Sequence, residues 1–232
     1  MIFLTSSSQS LKRHYDRLIQ TMKVCILIAL IPFTLCLFKS GISFKDSVFV
    51  TVITWLNETR RCSGTVFREH YVITAAHCIS EASPENIFVI PGNINITNAF
   101  LNQGLIKVKD IKIHPNYKNV KNSFKIRGSV DLAIIILKEP IQTRIQVKLK
   151  QFSSASHLNV FVVGTGLLRS DTWPNFPHKT FVSVLSDVQC RVAWPFSQKT
   201  HLCVMSVEGH DPTCGGDSGA GLYSLDNSGY VQ

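Results

Sequence analysis

Residues 214–222 read CGGDSGAGL and place Ser218 between Asp217 and Gly219, with Gly216 two positions earlier. Glycine adopts backbone angles that other residues avoid, so glycines on both sides of a serine favour a tight turn. A glycine at 216 also lets its backbone N–H come close to a substrate carbonyl. The segment therefore predicts a serine nucleophile on a turn, with an ordinary turn serine as the alternative.

Outward from this turn, most of the chain consists of short runs of β-branched and aromatic residues separated by Gly, Pro and Asn. The clearest runs lie at 47–55, 86–90, 109–114, 131–137, 159–164 and 180–186. This pattern is typical of all-β barrels. A short helix is expected only around 186–193. A polar stretch at 151–157 predicts a junction between two domains, 42–150 and 151–232.

Two further residues supply what a serine needs to hydrolyse an amide, namely an imidazole base and a carboxylate that orients it. His77 lies in VITAAHC, where small alanines leave room for packing, and Asp131 begins the apolar run DLAIIIL. Alternatively, His77 forms a metal pair with Cys78 or lies in the core, and Asp131 caps a strand. The remaining histidines have no metal-ligand spacing, so we expect neither a metal nor a cofactor.

The N-terminal segment resembles a targeting signal. Met22 and Lys23 precede an apolar run of about 15 residues, VCILIALIPFTLCLF, which is shorter than the roughly 20 residues that span a bilayer. We therefore expect residues 1–41 to be a leader whose signal-peptide core is 22–38. The protein is expected to be secreted and extracellular, without stable membrane insertion, although a signal anchor is the alternative. Sequons at Asn57 and Asn95 predict glycosylation.

The formal net charge of +9 does not predict a nucleic-acid partner. The lysines and arginines are scattered and form no run longer than two residues, which indicates a solvated basic surface.

The cysteine count is informative because an unpaired thiol is a liability in an oxidising compartment. Once Cys25 and Cys36 are assigned to the signal, five cysteines remain, which is an odd number. We therefore expect Cys214 to be free or to pair with another chain, its own partner being absent.

Three motifs in order resemble those of the chymotrypsin-like serine proteases: TAAHC at 74–78, DLAII at 131–135 and GDSG at 216–219. VVGTG at 162–166 is similar to the family's glycine-bracketed strand end, and the resemblance runs from about Val48 to Gln232. It implies two Greek-key antiparallel β-barrels and peptide-bond hydrolysis through a Ser-His-Asp triad and an acyl-enzyme. The implied partners are protein or peptide substrates and protease inhibitors.

The resemblance also implies the residue roles. His77 is the general base, Asp131 its orienting carboxylate and Ser218 the nucleophile, while the N–H groups of Gly216 and Ser218 form the oxyanion hole. His77 then lies in the first barrel with Asp131, and Ser218 in the second.

Disulfides and a specificity pocket follow from the same resemblance. The family-like pairs are Cys62 with Cys78 and Cys190 with Cys203. The pocket floor falls at Pro212, six residues before the nucleophile. Because proline has no charge, we expect a preference for substrate residues other than Arg or Lys.

The sequence departs from the family in three places. No Ile-Val-Gly-Gly-like start precedes Cys62, so the amino group that would pair with Asp217 after zymogen cleavage is not evident. Ala220 and Gly221 replace the usual Gly-Pro after GDSG. The chain is also expected to be C-terminally truncated, with an incomplete second barrel. These departures favour, as an alternative, a catalytically inactive homologue that binds or regulates partners.

Overall fold

The computed structural model describes residues 42–43, 45–56, 59–101, 104–118, 130–143, 145, 147–149, 160–193, 202–207, 209–210, 212–226 and 229–231. Their strands are β1 Ile42–Ser43, β2 Phe49–Trp55, β3 Thr59–Arg68, β4 Tyr71–Thr74, β5 Ile87–Pro91, β6 Ile106–Ile113, β7 Ala133–Leu137, β8 Val160–Gly164, β9 His178–Val184, β10 Val204–Ser206, β11 Leu222–Asp226 and β12 Gly229–Val231. The helices are α1 Ile96–Leu101 and α2 Asp187–Ala193, with 3-10 turns at Ala76–Cys78 and Pro84–Asn86. The all-β class is confirmed.

Strands β2 to β7 close into a six-stranded antiparallel barrel in the order β2-β3-β4-β7-β6-β5. Almost every residue of β2 is buried, because each face of the strand is covered. Val50 and Val52 point into the barrel core, whereas Ile53 packs with Ile90 and Ile96, the latter at the start of α1. Alternating side chains of a strand thus bury two apolar surfaces.

The second sheet has the order β1-β9-β8-β11-β12, with β10 also paired to β9. One of its faces packs on the first barrel, since Phe161 and Tyr223 belong to the same core cluster as Val50. The buried hydroxyl of Tyr223 is hydrogen-bonded to that of Thr65 on β3. Burial of the phenol raises the pKa of Tyr223, so it stays protonated. The two sheets therefore share a core.

The described residues belong to one compact unit that spans residues 36–232. The predicted leader lies outside the described residues, and so does the junction predicted at 150/151, which stays a prediction. Within the described part of the chain, no helix is long and apolar enough to cross a bilayer.

Two disulfides join Cys62 to Cys78 and Cys190 to Cys203, which confirms that the protein is disulfide-bonded. The first connects β3 to the turn that carries His77. Cys214 is disulfide-bonded as well, so the expectation of a free thiol at this position is wrong.

Candidate active site

His77 lies in the 3-10 turn that follows β4. The turn closes through hydrogen bonds from the Cys78 N–H to the Ala75 carbonyl and from the Ile79 N–H to the Ala76 carbonyl. Ala76 and Cys78 are buried, while the His77 side chain is about half exposed. The small alanines and the Cys78 disulfide thus anchor the turn and leave the imidazole at the surface.

Asp131 reaches His77 because of strand pairing. Asp131 stands two residues before β7, and β7 pairs with β4 so that Ala133 lies opposite Thr74. The Nδ1 atom of His77 lies 2.6 Å from Oδ2 of Asp131, and the backbone N–H of His77 donates to Oδ1 at 2.8 Å. The carboxylate therefore fixes both the ring and the backbone of the histidine, with Nδ1 as the protonated nitrogen.

The pairing shifts both pKa values. The hydrogen bond from the imidazole to Asp131 raises the pKa of His77, against smaller lowering effects of burial and of the Arg60 charge. Burial alone would raise the pKa of Asp131, but hydrogen bonds from the side chain and backbone of His77 hold it below its ordinary range. The carboxylate therefore stays ionised and stabilises a protonated imidazole.

Ser218 lies on the turn that the sequence predicts. The Asp217 N–H donates to the Cys214 carbonyl at 3.1 Å, and the Ala220 N–H donates to the Asp217 carbonyl at 2.9 Å. Gly219 has a φ of 86°, and a side chain there would collide with the Thr74 hydroxyl. Only glycine satisfies both requirements.

The serine turn is attached to the first barrel through Ser63 of β3. The Ser63 hydroxyl donates to the Gly216 carbonyl at 2.9 Å and accepts the Thr165 N–H at the same distance. The Ser63 backbone N–H donates to the carbonyl of Ser218 at 2.8 Å. Two hydrogen bonds of one buried serine thus position the turn next to the barrel that carries His77, and the third ties the loop after β8 to the same side chain.

The Asp217 carboxylate bridges the start of its own turn and the loop after β8. Its Oδ1 accepts the Gly166 N–H and its Oδ2 accepts the Cys214 N–H, both at 2.8 Å. A Cβ on Gly166 would lie 2.6 Å from the Asp217 Cγ, so this close approach requires glycine. Backbone donors thus hold the carboxylate to which the resemblance gives a role in zymogen activation.

The Cys78 sulfur lies between the base and the nucleophile turn. It is 3.7 Å from the His77 Nε2 and 3.7 Å from the Ser218 carbonyl oxygen. Among the hydrogen bonds of the described residues, none joins the imidazole to the Ser218 hydroxyl. Catalytic hydrogen bonds are often long in unliganded enzymes and shorten when substrate binds, so this arrangement agrees with an unliganded state.

Cys62, His77 and Cys78 bring three atoms of metal-binding type within 4.8 Å of one another. Both sulfurs are consumed by the disulfide, which leaves no thiolate to bind a metal. The alternative of a His77–Cys78 metal pair is therefore not supported.

A cavity of about 610 Å³ opens beside Ser218. Its lining is mostly apolar and comprises Val162, Leu202, Val204, Thr213, Cys214, Asp217, Ser218, Ala220 and Leu222. Pro212, the predicted pocket floor, lines a second, small cavity with Leu167, Leu168 and Lys179, and the two cavities share Asp217. Thr213, which follows Pro212 in the sequence, lines the larger cavity.

Of the two predicted glycosylation sites, Asn57 lies outside the described residues. Asn95 precedes α1, and its Oδ1 accepts the Asn98 N–H at 3.1 Å. The hydroxyl of Thr97, the third residue of this sequon, donates to Asn175 at 2.8 Å. Both Asn95 and Thr97 are at least partly accessible.

The sequence did not single out two residues that shape the site, Ser63 and Trp173. A Cβ on Gly216 would lie 2.7 Å from the Trp173 Cζ3, so this indole lies directly against the nucleophile turn. The only sequence signal for Ser63 was its position directly after Cys62. Nothing in the sequence around Trp173 indicated a role.

The barrel, the paired His77 and Asp131 and the neighbouring serine turn define a serine-type endopeptidase of the chymotrypsin-like class. The chain belongs to the trypsin family, whose family model matches residues 41–232.

Known proteins similar to this chain include several proteases. Platelet-aggregating proteinase PA-BJ of Bothrops jararaca is 31% identical over 179 residues, which cover 74% of this chain and 71% of that protein. Trypsin of Saccharopolyspora erythraea is 26% identical over 75% of each chain. Venom plasminogen activator LV-PA of Lachesis muta muta is 28% identical over 69% of this chain and 62% of its own length.

Proposed function

We propose that the protein is a secreted serine endopeptidase that uses Ser218, His77 and Asp131 as its catalytic triad. The observation that carries this proposal is the hydrogen-bonded pair of His77 and Asp131, with Nδ1 and Oδ2 2.6 Å apart. An imidazole held in this way presents Nε2 as the basic nitrogen, which is the atom that a serine base needs.

In the proposed reaction, Nε2 of His77 takes the hydroxyl proton of Ser218 as Oγ attacks the scissile carbonyl carbon. The carbonyl electrons move to oxygen, and the N–H groups of Gly216 and Ser218 stabilise the oxyanion. The C–N bond then breaks, and the imidazolium gives its proton to the leaving amine. Water attacks the remaining acyl-enzyme ester by the same route and releases Ser218.

Substrate selection is proposed to involve Pro212 as the floor of the specificity pocket. Proline offers no charge to an Arg or Lys side chain, so we propose a preference for other residues. Pro212 lines the smaller cavity next to the one beside Ser218. The mostly apolar lining of the cavity beside Ser218 supports the preference for uncharged residues.

Asp217 is proposed as the carboxylate that responds to maturation of the chain. A new amino terminus would compete with the N–H groups of Gly166 and Cys214 for this carboxylate. Secretion, cleavage of a signal within residues 1–41, glycosylation at Asn57 and Asn95 and recognition by protease inhibitors are also proposed. The similarity to a venom protease supports an extracellular location.

Labelling with a fluorophosphonate tests the proposal, because this probe reacts with an activated serine without needing a specificity pocket. The full chain, expressed through a secretory pathway, should be labelled and should hydrolyse a mixed peptide library. Ser218→Ala and His77→Ala should lose both activities, whereas Ser170→Ala, at an exposed serine, should keep them. A folded, disulfide-bonded chain that is not labelled would instead favour an inactive homologue.

A further inference from the structure

A partly buried arginine and an exposed tryptophan form a pair beside the nucleophile turn. The guanidinium carbon of Arg61 lies 4.6 Å from the ring centroid of Trp173, and Nη1 of Arg61 donates to the Pro174 carbonyl at 3.1 Å. The guanidinium therefore rests on the indole face, the geometry of a cation–π contact. The indole is 47% exposed, and such an exposed aromatic surface is available to a ligand.

Two attachments fix this pair relative to Ser218. Trp173 packs on Gly216, as shown by the 2.7 Å separation from a Cβ placed there. The segment before Trp173 is bound to the same turn, since the Leu167 N–H donates to the Gly215 carbonyl at 2.9 Å. Any peptide whose carbonyl reaches the Gly216 N–H must therefore pass close to the Trp173 ring.

The pair lies on the side of the site from which the leaving group departs. The imidazole of His77 gives its proton to the leaving amine, so that part of the substrate lies towards His77 and Cys78. Cys78 is bonded to Cys62, which follows Arg61 directly in β3. Arg61 thus flanks the substrate segment that follows the scissile bond.

The charge of Arg61 has no carboxylate partner among the ion pairs of the described residues. The side chain is partly buried, and loss of water lowers the pKa of the guanidinium without removing its charge. Only one of its five N–H groups is used by the hydrogen bond to Pro174. A carboxylate that approaches this guanidinium is attracted more strongly than at a fully exposed arginine.

We propose that Arg61 and Trp173 form a substrate-recognition platform that selects an acidic side chain within the first residues after the scissile bond. The exposed part of the Trp173 ring accommodates the methylene groups of a Glu or Asp side chain, and N–H groups of Arg61 other than the one that donates to Pro174 bind its carboxylate. This inference rests on the proposed endopeptidase function, because it assumes that a peptide lies across Ser218.

Two measurements separate the platform from the catalytic proposal. Binding is measured on the full chain carrying Ser218→Ala, with peptide pairs that differ only in Glu against Gln at the first, second or third position after the scissile bond. Turnover of the same pairs is measured on the chain with Ser218 intact. The platform predicts, at one of these positions, about fivefold tighter binding or higher kcat/KM for Glu, decreasing at high salt.

Variants of Arg61 test whether this residue causes the preference for Glu over Gln. Arg61→Gln should remove the preference for Glu, and Arg61→Glu should reverse it towards Lys. Arg68→Gln is the matched control: it changes an arginine on the same strand, also near an aromatic ring, that of Phe67. At about 3.3 Å per residue it lies some 20 Å from Arg61 and should leave the preference intact.

Each result is decisive. Selective binding without turnover would support the platform and reject the endopeptidase. Turnover dependent on Ser218 that ignores Glu against Gln would reject the platform and keep the endopeptidase. A preference that survives Arg61→Gln, or a lack of any peptide binding, would also overturn the platform.

Discussion

The hydroxyl of Ser63 donates a hydrogen bond to the Gly216 carbonyl at 2.9 Å, across 153 residues of sequence. This contact joins β3 of the first barrel to the turn that carries the nucleophile. Because β3 is also linked by a disulfide to the turn of His77, one strand positions both reacting groups. The geometry of the site thus depends on β3 more than on either loop alone.

Ser63→Ala is expected to destabilise the protein by about 1–3 kcal/mol and to slow labelling of Ser218. The change leaves the buried Thr165 N–H without its acceptor and the Gly216 carbonyl without its donor. Urea unfolding and the rate of fluorophosphonate labelling measure the two effects. Ser47→Ala, which removes a hydrogen bond at the surface, serves as the control. Equal stability of both variants would show that Ser63 does not hold the turn.

Asp131→Asn should lower the rate of peptide hydrolysis by a factor on the order of 10⁴ while the fold is retained. The neutral amide can no longer hold the imidazole with Nδ1 protonated, so Nε2 is less available as a base. Kinetics and circular dichroism of the variant check both parts of this expectation. A rate within tenfold of the parent chain would show that another group orients His77.

The pH dependence should follow the raised pKa of His77. Only the neutral imidazole accepts the serine proton, so activity should fall as the pH drops through a pKa above the ordinary 6.5. Asp131→Asn removes the contacts that raise the pKa of His77. Burial and the Arg60 charge remain, and because both lower this pKa, the pKa of His77 should fall below 6.5. NMR titration of the imidazole measures the shift, and Asp110→Asn, on β6, should not change it.

The same pair predicts how stability varies with pH. Since the pKa of His77 is raised by folding, its contribution is complete below 6.5 and is lost as the pH rises through the folded pKa. The pKa of Asp131 is lowered, so its contribution is present above 3.8 and is lost as the pH falls through the folded pKa. The free energy of unfolding of the parent and Asp131→Asn chains, compared from below pH 3.8 to above pH 6.5, checks the sign of both contributions.

Local sequence patterns predicted the β-rich fold and the serine turn, because alternating apolar residues and clustered glycines constrain the backbone locally. The chemistry of amide hydrolysis marked His77 and Asp131 as candidates, and the resemblance assigned their roles. No local pattern shows that they meet, since the contact depends on β4 pairing with β7 across 54 residues. No local pattern marks the contact of Arg61 with Trp173, which lies more than 100 residues away. Which aromatic ring Arg61 contacts depends on how the two sheets pack against each other.

Gly219→Ala should destabilise the protein by about 1–3 kcal/mol more than Gly209→Ala. The two glycines have nearly the same φ, 86° and 84°, so the backbone strain of an alanine is matched. A Cβ at 209 meets nothing within 4 Å, whereas one at 219 collides with Thr74 and Ser63. Gly219→Ala should therefore also displace the turn and reduce fluorophosphonate labelling of Ser218, which Gly209→Ala should leave unchanged. Thermal unfolding and labelling of both variants provide the comparison, and equal losses would mean that close packing against β3 and β4 does not hold Ser218 in place.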